Sequence, residues 1–248
     1  MNFLRRLFSK NTVEQVDEFI FVDMHSHLIP GIDDGSKSLE ESISLIRDFQ
    51  LLGYKKIITT PHIMGDFFKN SKETIYPGLK TLQDKLREEG IDIEIEAAAE
   101  YYLDEWFIEK LEKGEPLLTF GNKYVLFETS YMNASSQLHQ AIFKLRSSGY
   151  TPILAHPERY TYLYSSFEGF KEIYDMGVLF QINLNSLAGY YSKPAKLFAE
   201  KLIDHKMVDF VGTDCHGQRH IQVLQKVKTS SYYKKLRQLP LLNNSLLS

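Results

Sequence analysis

Phe19-Ile20-Phe21-Val22-Asp23-Met24-His25-Ser26-His27 is an apolar, β-favouring run that ends in two histidines one residue apart. Side chains alternate faces along a strand, so His25 and His27 project to the same side and can close on one metal ion. The pattern then recurs down the chain. Residues 56–60 form a short apolar run stopped by Pro61 and followed at once by His62, and residues 92–99 end at Glu100. Residues 124–127 end at Glu128, residues 152–155 at His156, and residues 208–212 at Asp214-Cys215-His216. Residues 178–184 also read as a strand, tipped by Asn183 and Asn185 rather than by a metal-type residue.

Between these runs lie helical patterns. Ser38-Leu39-Glu40-Glu41 has the form of a capping box opening a helix that runs to about Gly53. Amphipathic stretches at 103–113, 135–148 and 167–176 are closed by Gly114, Gly149 and Gly177, and another runs over 193–206. A polar helical stretch ends near Gly90, and Pro77 is expected to kink or break it. From about Ser230 the chain is polar and then leucine-rich, which suits a final packed helix or a loose end. Strand and helix thus alternate about seven times with mostly short connections. That predicts an α/β fold, a parallel sheet with helices outside it, closed at this count into a barrel.

In such barrels the chemistry gathers at the C-terminal ends of the strands. His25, His27, His62, Glu100, Glu128, His156, Asp214 and His216 all fall there. Steps from His62 to Glu100, Glu128 and His156 are each roughly 28–38 residues, the length of a βα unit, and His156 to Asp214 is about two of them. Singly, each residue has an ordinary explanation, such as a hydrogen-bonded turn histidine or a helix cap for Asp214. Together, carboxylates gathered in one concavity repel and raise one another's pKa unless cations intervene. A His/Asp/Glu mixture suits zinc, manganese or Fe(II) rather than calcium.

The chain of 248 residues is long enough for one large domain, expected over residues 19–248, and its net charge of −3 shows no basic excess for nucleic acid. Its single cysteine, Cys215, excludes an intramolecular disulfide and suits the cytoplasm. If Asp214 and His216 face the metals, alternation turns Cys215 away from them. Residues 1–18 read as a tail or short amphipathic helix. Apolar positions 3, 4, 7 and 8 with Arg5, Arg6 and Lys10 suit a membrane-surface contact through residues 1–10, while Arg5-Arg6 interrupts any signal-peptide core.

Seven ordered motifs carry a resemblance: Asp23-Met24-His25-Ser26-His27, Asp33-Asp34-Gly35, Thr60-Pro61-His62, Ala99-Glu100-Tyr101-Tyr102, Phe127-Glu128, His156-Pro157-Glu158-Arg159-Tyr160 and Thr213-Asp214-Cys215-His216. From about Phe21 to His220 the chain resembles the polymerase-and-histidinol-phosphatase (PHP) superfamily. Within it, the chain looks like the bacterial manganese-dependent protein-tyrosine phosphatases of capsule and exopolysaccharide loci. The resemblance implies a distorted (β/α)7 barrel of the PHP type holding three divalent ions, Mn2+ first with iron or zinc as substitutes. One ion would take His25, His27, Glu100 and Asp214; a second Glu100, Glu128 and His156; a third Asp34, His62 and His216, with Asp33 as the alternative to Asp34. Arg159 matches a phosphate-binding arginine. The family's second arginine follows the last histidine motif, and Arg219 is the nearest residue here, closer to His216 than the pattern expects. The implied substrate is a phosphotyrosine protein, such as a bacterial tyrosine kinase, hydrolysed in the cytoplasm or at the inner face of the membrane.

The implied chemistry follows from charge. Metals lower the pKa of a bound water from ~15.7 towards ~7, giving hydroxide at neutral pH, while cations and Arg159 neutralise the phosphoryl oxygens. Phe67, Phe68, Tyr101, Tyr102 and Tyr131 are candidates to hold the phenyl ring. Competing readings are a small-molecule phosphatase such as one for histidinol phosphate, a nuclease-like module, and a non-catalytic envelope-assembly scaffold. The absent basic patch argues against the second, and the full set of ligand-type residues against the third.

Overall fold

The computed structural model describes residues 18–247; the expected helix or tail at the N-terminus lies outside them. Its strands are β1 (Val22–Asp23), β2 (Lys56–Thr59), β3 (His62–Ile63), β4 (Glu94–Ala97), β5 (Glu100–Tyr102), β6 (Tyr124–Glu128), β7 (Thr151–Ala155), β8 (Leu179–Asn183) and β9 (Phe210–Gly212). Every pairing between them is parallel. Two of the expected strands are interrupted. Proline 61 has no N–H to give to a ladder, and it divides β2 from β3; Ala98-Ala99 divides β4 from β5. The halves change sheets, giving one sheet ordered β1-β2-β4 and another ordered β3-β5-β6-β7-β8-β9. Counted unbroken, these are the seven strands read from the sequence.

The free edges, β1 and β9, come together just beyond their ends. Ser26 and Cys215 form a parallel bridge, with His27 N donating to Cys215 O at 2.9 Å and Asp214 N to His25 O at 2.8 Å. Lower down, the seam is stitched by side chains. The Asp23 carboxylate accepts from Thr213 N (2.8 Å) and Thr213 Oγ1 (3.0 Å). Asn243 Nδ2 donates to Val22 O (2.9 Å) and Val211 O (2.7 Å), and its Oδ1 accepts from Val211 N (3.0 Å).

Alternation along the strands divides the core in two. Ile57, Val125, Phe127, Leu154 and Val211 pack outward with the helices, whereas Val22, Ile58, Leu126, Ile153 and Phe210 pack on one another with Phe120 and Leu246. The second set fills the ring beneath its C-terminal end. The surrounding helices are α1 (Leu39–Leu51), α2 (Lys72–Glu88), α3 (Glu105–Glu112), α4 (Leu138–Ser147), α5 (Glu168–Asp175), α6 (Lys193–Asp204), α7 (Gln218–Val227) and α8 (Ser231–Leu236). At α1 the box is half formed. Ser38 accepts from Glu41 N, but the Glu41 carboxylate accepts from Lys37 N instead of reaching back to Ser38. Helix α2 runs through Pro77, so of the expected kink or break the break does not occur. The proline deletes only the bond to Glu73 O in the first turn, which Ser71 and Thr74 already hold by a complete capping box. The C-terminal stretch packs: Tyr233, Leu236 and Leu246 are all buried.

Candidate metal centre

The ring ends in polar side chains. Gly35 folds back onto His27 so closely that a Cβ there would lie 2.2 Å from His27 O, so only glycine fits. Asp33 Oδ1 accepts from Gly35 N at 2.9 Å, which leaves Asp33 Oδ2 2.8 Å from His27 Nδ1. Asp34 is thereby carried over the opening. Parallel register sets His62 beside Glu100 and Tyr102 beside Glu128. His156 and Asp214 follow β7 and β9 in the left-handed region, with φ of 36° and 51°. That conformation costs a non-glycine residue about 1–3 kcal/mol and concentrates at functional sites.

Glu100 Oε2 is the hub, 3.2 Å from His25 Nε2, 3.4 Å from His27 Nε2 and 3.2 Å from His62 Nδ1. Glu100 Oε1 is 3.1 Å from His156 Nε2, and Glu128 Oε1 is 3.3 Å from His62 Nδ1. Asp214 Oδ1 stands 3.5 Å from both His25 Nε2 and His27 Nε2. Asp34 Oδ1 is 3.1 Å from His216 Nε2 and 3.5 Å from His62 Nε2. Three sets of donor atoms each fall within a 4.8 Å span: His27, Asp34, His62 and His216; His25, His27 and Glu100; and His62, Glu100 and Glu128. These sets overlap more than the three ligand groups implied by the resemblance, which share Glu100 alone; here His27 and His62 are shared as well.

Divalent cations fit these residues. Glu100 Oε2 and His62 Nδ1 are fully buried and make no hydrogen bond, although they face each other and two further imidazoles. Buried polar atoms aimed at one point without mutual hydrogen bonds are what a shared cation satisfies. Electrostatics agree. Burial opposes ionisation of Glu100, yet His25 and His62 hold its carboxyl well below the usual range. Burial likewise opposes charge on His25, but Glu100 and Asp214 raise it to about 9.

Arg159 stands at the rim. Its guanidinium lies between the rings of Tyr131 and Tyr191, 4.4 and 4.2 Å from their centroids, and Nη1 donates to Asp214 Oδ2 at 3.0 Å. Tyr131 donates its hydroxyl to Glu128 Oε2 at 3.2 Å, and Phe68 stacks on His62. Tyr101 is not part of the site. It points out of the ring, stacks on Phe107 and accepts from Leu118 N, as alternation from the inward Glu100 requires. Arg219 is exposed in the first turn of α7, with its guanidinium over the ring of Tyr190, which packs against Tyr191. Asp33 backs His27, while Asp34 faces the other donors. Cys215 is buried in the core with its thiol pushed up by burial, so it is no nucleophile. Three residues at the centre escaped the sequence reading of the site: Gln181, Tyr191 and Asn183, the last noted only as a strand tip. The i, i+2 spacing of Gln181 and Asn183 was the available signal; Tyr191, in a loop, left none.

Known proteins place this architecture. Residues 21–236 match the family described as capsular polysaccharide synthesis, CpsB/CapC. The chain is 31% identical over 206 residues to the tyrosine-protein phosphatase CpsB of Streptococcus pneumoniae, covering 79% of this chain and 83% of that one. It is 28% identical over 196 residues to the tyrosine-protein phosphatase YwqE of Bacillus subtilis, covering 79% and 77%. Among solved structures it superposes with TM-score 0.79, at 27% identity and 91% and 94% coverage, in the work on YwqE from Bacillus subtilis and CpsB from Streptococcus pneumoniae, described as metal-dependent tyrosine phosphatases. An amidohydrolase from Mycoplasma synoviae shares the fold alone, at TM-score 0.56, 13% identity and coverage of 92% and 87%. The chain belongs to the CpsB/CapC family of capsular polysaccharide synthesis.

Proposed function

We propose that this protein is a metal-dependent protein-tyrosine phosphatase acting on a phosphotyrosine protein of capsule or exopolysaccharide synthesis, a bacterial tyrosine kinase being the first candidate, in the cytoplasm. The observation that carries this is the convergence of His25, His27, His62, Glu100, Glu128, His156, Asp34, Asp214 and His216 beside an aromatic-flanked arginine. Residues 19–248 act as one catalytic domain. We assign three divalent ions, manganese foremost: His25, His27, Glu100 and Asp214 for one; Glu100, Glu128 and His156 for another; Asp34, His62 and His216 for the third. When bound, such ions supply an activated water and positive charge against the phosphate.

The chain's own residues do the rest. Arg159 spends one donor on Asp214 and keeps the others of its planar fork for phosphoryl oxygens, on which charge develops during transfer. The Tyr131 and Tyr191 faces hold that fork in place, so little reorganisation accompanies reaction. Phe67, exposed at the rim, Phe68 and Tyr131 offer apolar area to a phenyl ring. A phenol of pKa ~10 leaves more readily than an alkanol, so no buried general acid is needed. The test combines metal analysis of the purified protein with hydrolysis of a phosphotyrosine peptide and of alkyl phosphates, with and without manganese. Manganese-dependent turnover selective for the peptide is the expected result; equal turnover of alkyl phosphates favours a small-molecule phosphatase, and a metal-free, fully active protein refutes the reading.

A further inference from the structure

We infer that β8, the one of the seven strands counted unbroken that sends no metal-type side chain to the centre of the described ring, governs it through two amides, Gln181 and Asn183. The inference rests on the metal-centre reading above. Asp214 Oδ2 receives Arg159 Nη1 at 3.0 Å, Tyr191 Oη at 3.1 Å and the Asn183 amide at 2.7 Å. A carboxylate only accepts, so the Asn183 atom against it is Nδ2. Asn183 Oδ1 must then face Gln181, where Nε2 donates to it at 2.9 Å. Gln181 Oε1 is left 2.8 Å from His25 Nδ1 and, being an acceptor, requires a proton there. Each orientation is dictated by the one before it, and Gln181 and Asn183 are both buried away from water.

The relay has two consequences. His25 is held with Nδ1–H, so its Nε2 lone pair faces Glu100 and Asp214 as a ligand must. Asp214 Oδ2 is saturated by three donors, so only Oδ1, 3.5 Å from His25 Nε2 and His27 Nε2, is left to ligate. The neighbouring histidines are therefore backed differently: His27 by the Asp33 carboxylate, His25 by a neutral amide. A carboxylate behind a ligating imidazole strengthens it as a donor. Behind His25 the amide supplies the same geometry without further negative charge beside Asp214 and Glu100. Gly212 makes room for it, since a Cβ at that position would lie 2.7 Å from His25 Cβ and 2.9 Å from Gln181 Nε2.

The experiment is zinc titration against a competing chelator, joined to 15N spectra of the histidines in the zinc-loaded protein. Gln181→Leu should weaken zinc binding by about 10–100-fold, the usual effect of removing such a partner, and lose the protected His25 Nδ1–H signal. Gln181→Glu keeps the acceptor behind His25 but sets an oxygen against Asn183 Oδ1, so it should restore the signal and only part of the affinity; it also decides the matter if Gln181→Leu does not fold. A loaded wild type with His25 protonated at Nε2, or unchanged affinity in a folded Gln181→Leu, overturns the relay while leaving the metal centre standing. A wild type that binds no zinc overturns the metal centre itself.

Discussion

Arg159 is where a single side chain decides most. Stacked between Tyr131 and Tyr191 and anchored on Asp214, it is fixed without being a ligand-type residue. Arg159→Ala should therefore lower kcat on a phosphotyrosine peptide by ~10²–10³, the usual loss for a charge-stabilising donor, with bound metal unchanged by elemental analysis. Arg159→Lys should recover only part, because a point charge cannot replace the fork; wild-type turnover in the alanine variant would remove Arg159 from the reaction. The imidazoles make a second, pH-dependent prediction. Burial opposes charge on His25 and His27, but Glu100 and Asp214 around the first, and Asp33 beside the second, raise both. For His25 the folded value of about 9 lies above the ordinary 6.5. Its protonation therefore stabilises the chelator-treated protein fully below pH 6.5, and that contribution is lost as pH rises through about 9. Metal binding needs the unprotonated ring, so affinity should climb over the same interval and binding at neutral pH should release protons. Calorimetry in buffers of different ionisation enthalpy measures that release; none at pH 7, with an unchanging melting temperature of the chelated protein across the interval, would contradict these charges.

At the scale of elements, what was legible in the chain was the terminus of each strand. An apolar run ending in histidine, glutamate or aspartate needs only alternation and a stop, and the side chains so marked are those the structure gathers. Less visible was how strands break. Pro61 announced a stop, yet not that His62 would resume pairing in a different sheet, and Ala98-Ala99 gave no sign at all. The left-handed turns at His156 and Asp214 were equally silent: histidine and aspartate enter that region more readily than most side chains, but it stays uncommon even for them, so the residue type alone did not announce it. Helix α7 was not foreseen either, its start being marked by Gly217 rather than by a capping side chain. Three residues beyond His216, Arg219 stands exposed in the first turn of that helix, over the ring of Tyr190. Strand β9 carries the element-scale prediction. Gly212→Ala would force a methyl against His25 and Gln181, so it should cost about 1–3 kcal/mol by overpacking and weaken metal binding together. Denaturant unfolding with metal titration measures both; a variant as stable and as tight as wild type would mean that the packed strands move aside freely.

The whole molecule depends on a seam that strands alone do not close. Between β1 and β9 backbone pairing exists only near Ser26 and Cys215, at the end that carries the site. Below it, an amide from the short 3-10 turn Asn243–Leu246 stands in for a missing strand, satisfying Val22 O, Val211 N and Val211 O at once. The C-terminal segment is thus part of the ring, and Leu246 joins the interior cluster beside it. Asn243 is buried, so no water replaces its side chain on truncation. Each buried backbone group left unpaired costs about 1–3 kcal/mol, and partial relaxation of the seam should bring Asn243→Ala to about 3 kcal/mol. For a chain of this size that is a fall in Tm of roughly 6–12 °C. Its neighbour is the control: Asn244 also bonds the backbone of the first strand's approach, at Phe21 N and Phe19 O, but in an exposed setting where water can substitute. Asn244→Ala should therefore shift Tm by only a few degrees, and metal content should stay at the wild-type level in both variants, since neither touches a donor atom. Equal, small shifts for the two would show that the ring is held shut by its site-bearing end alone, with the C-terminal turn merely resting on it.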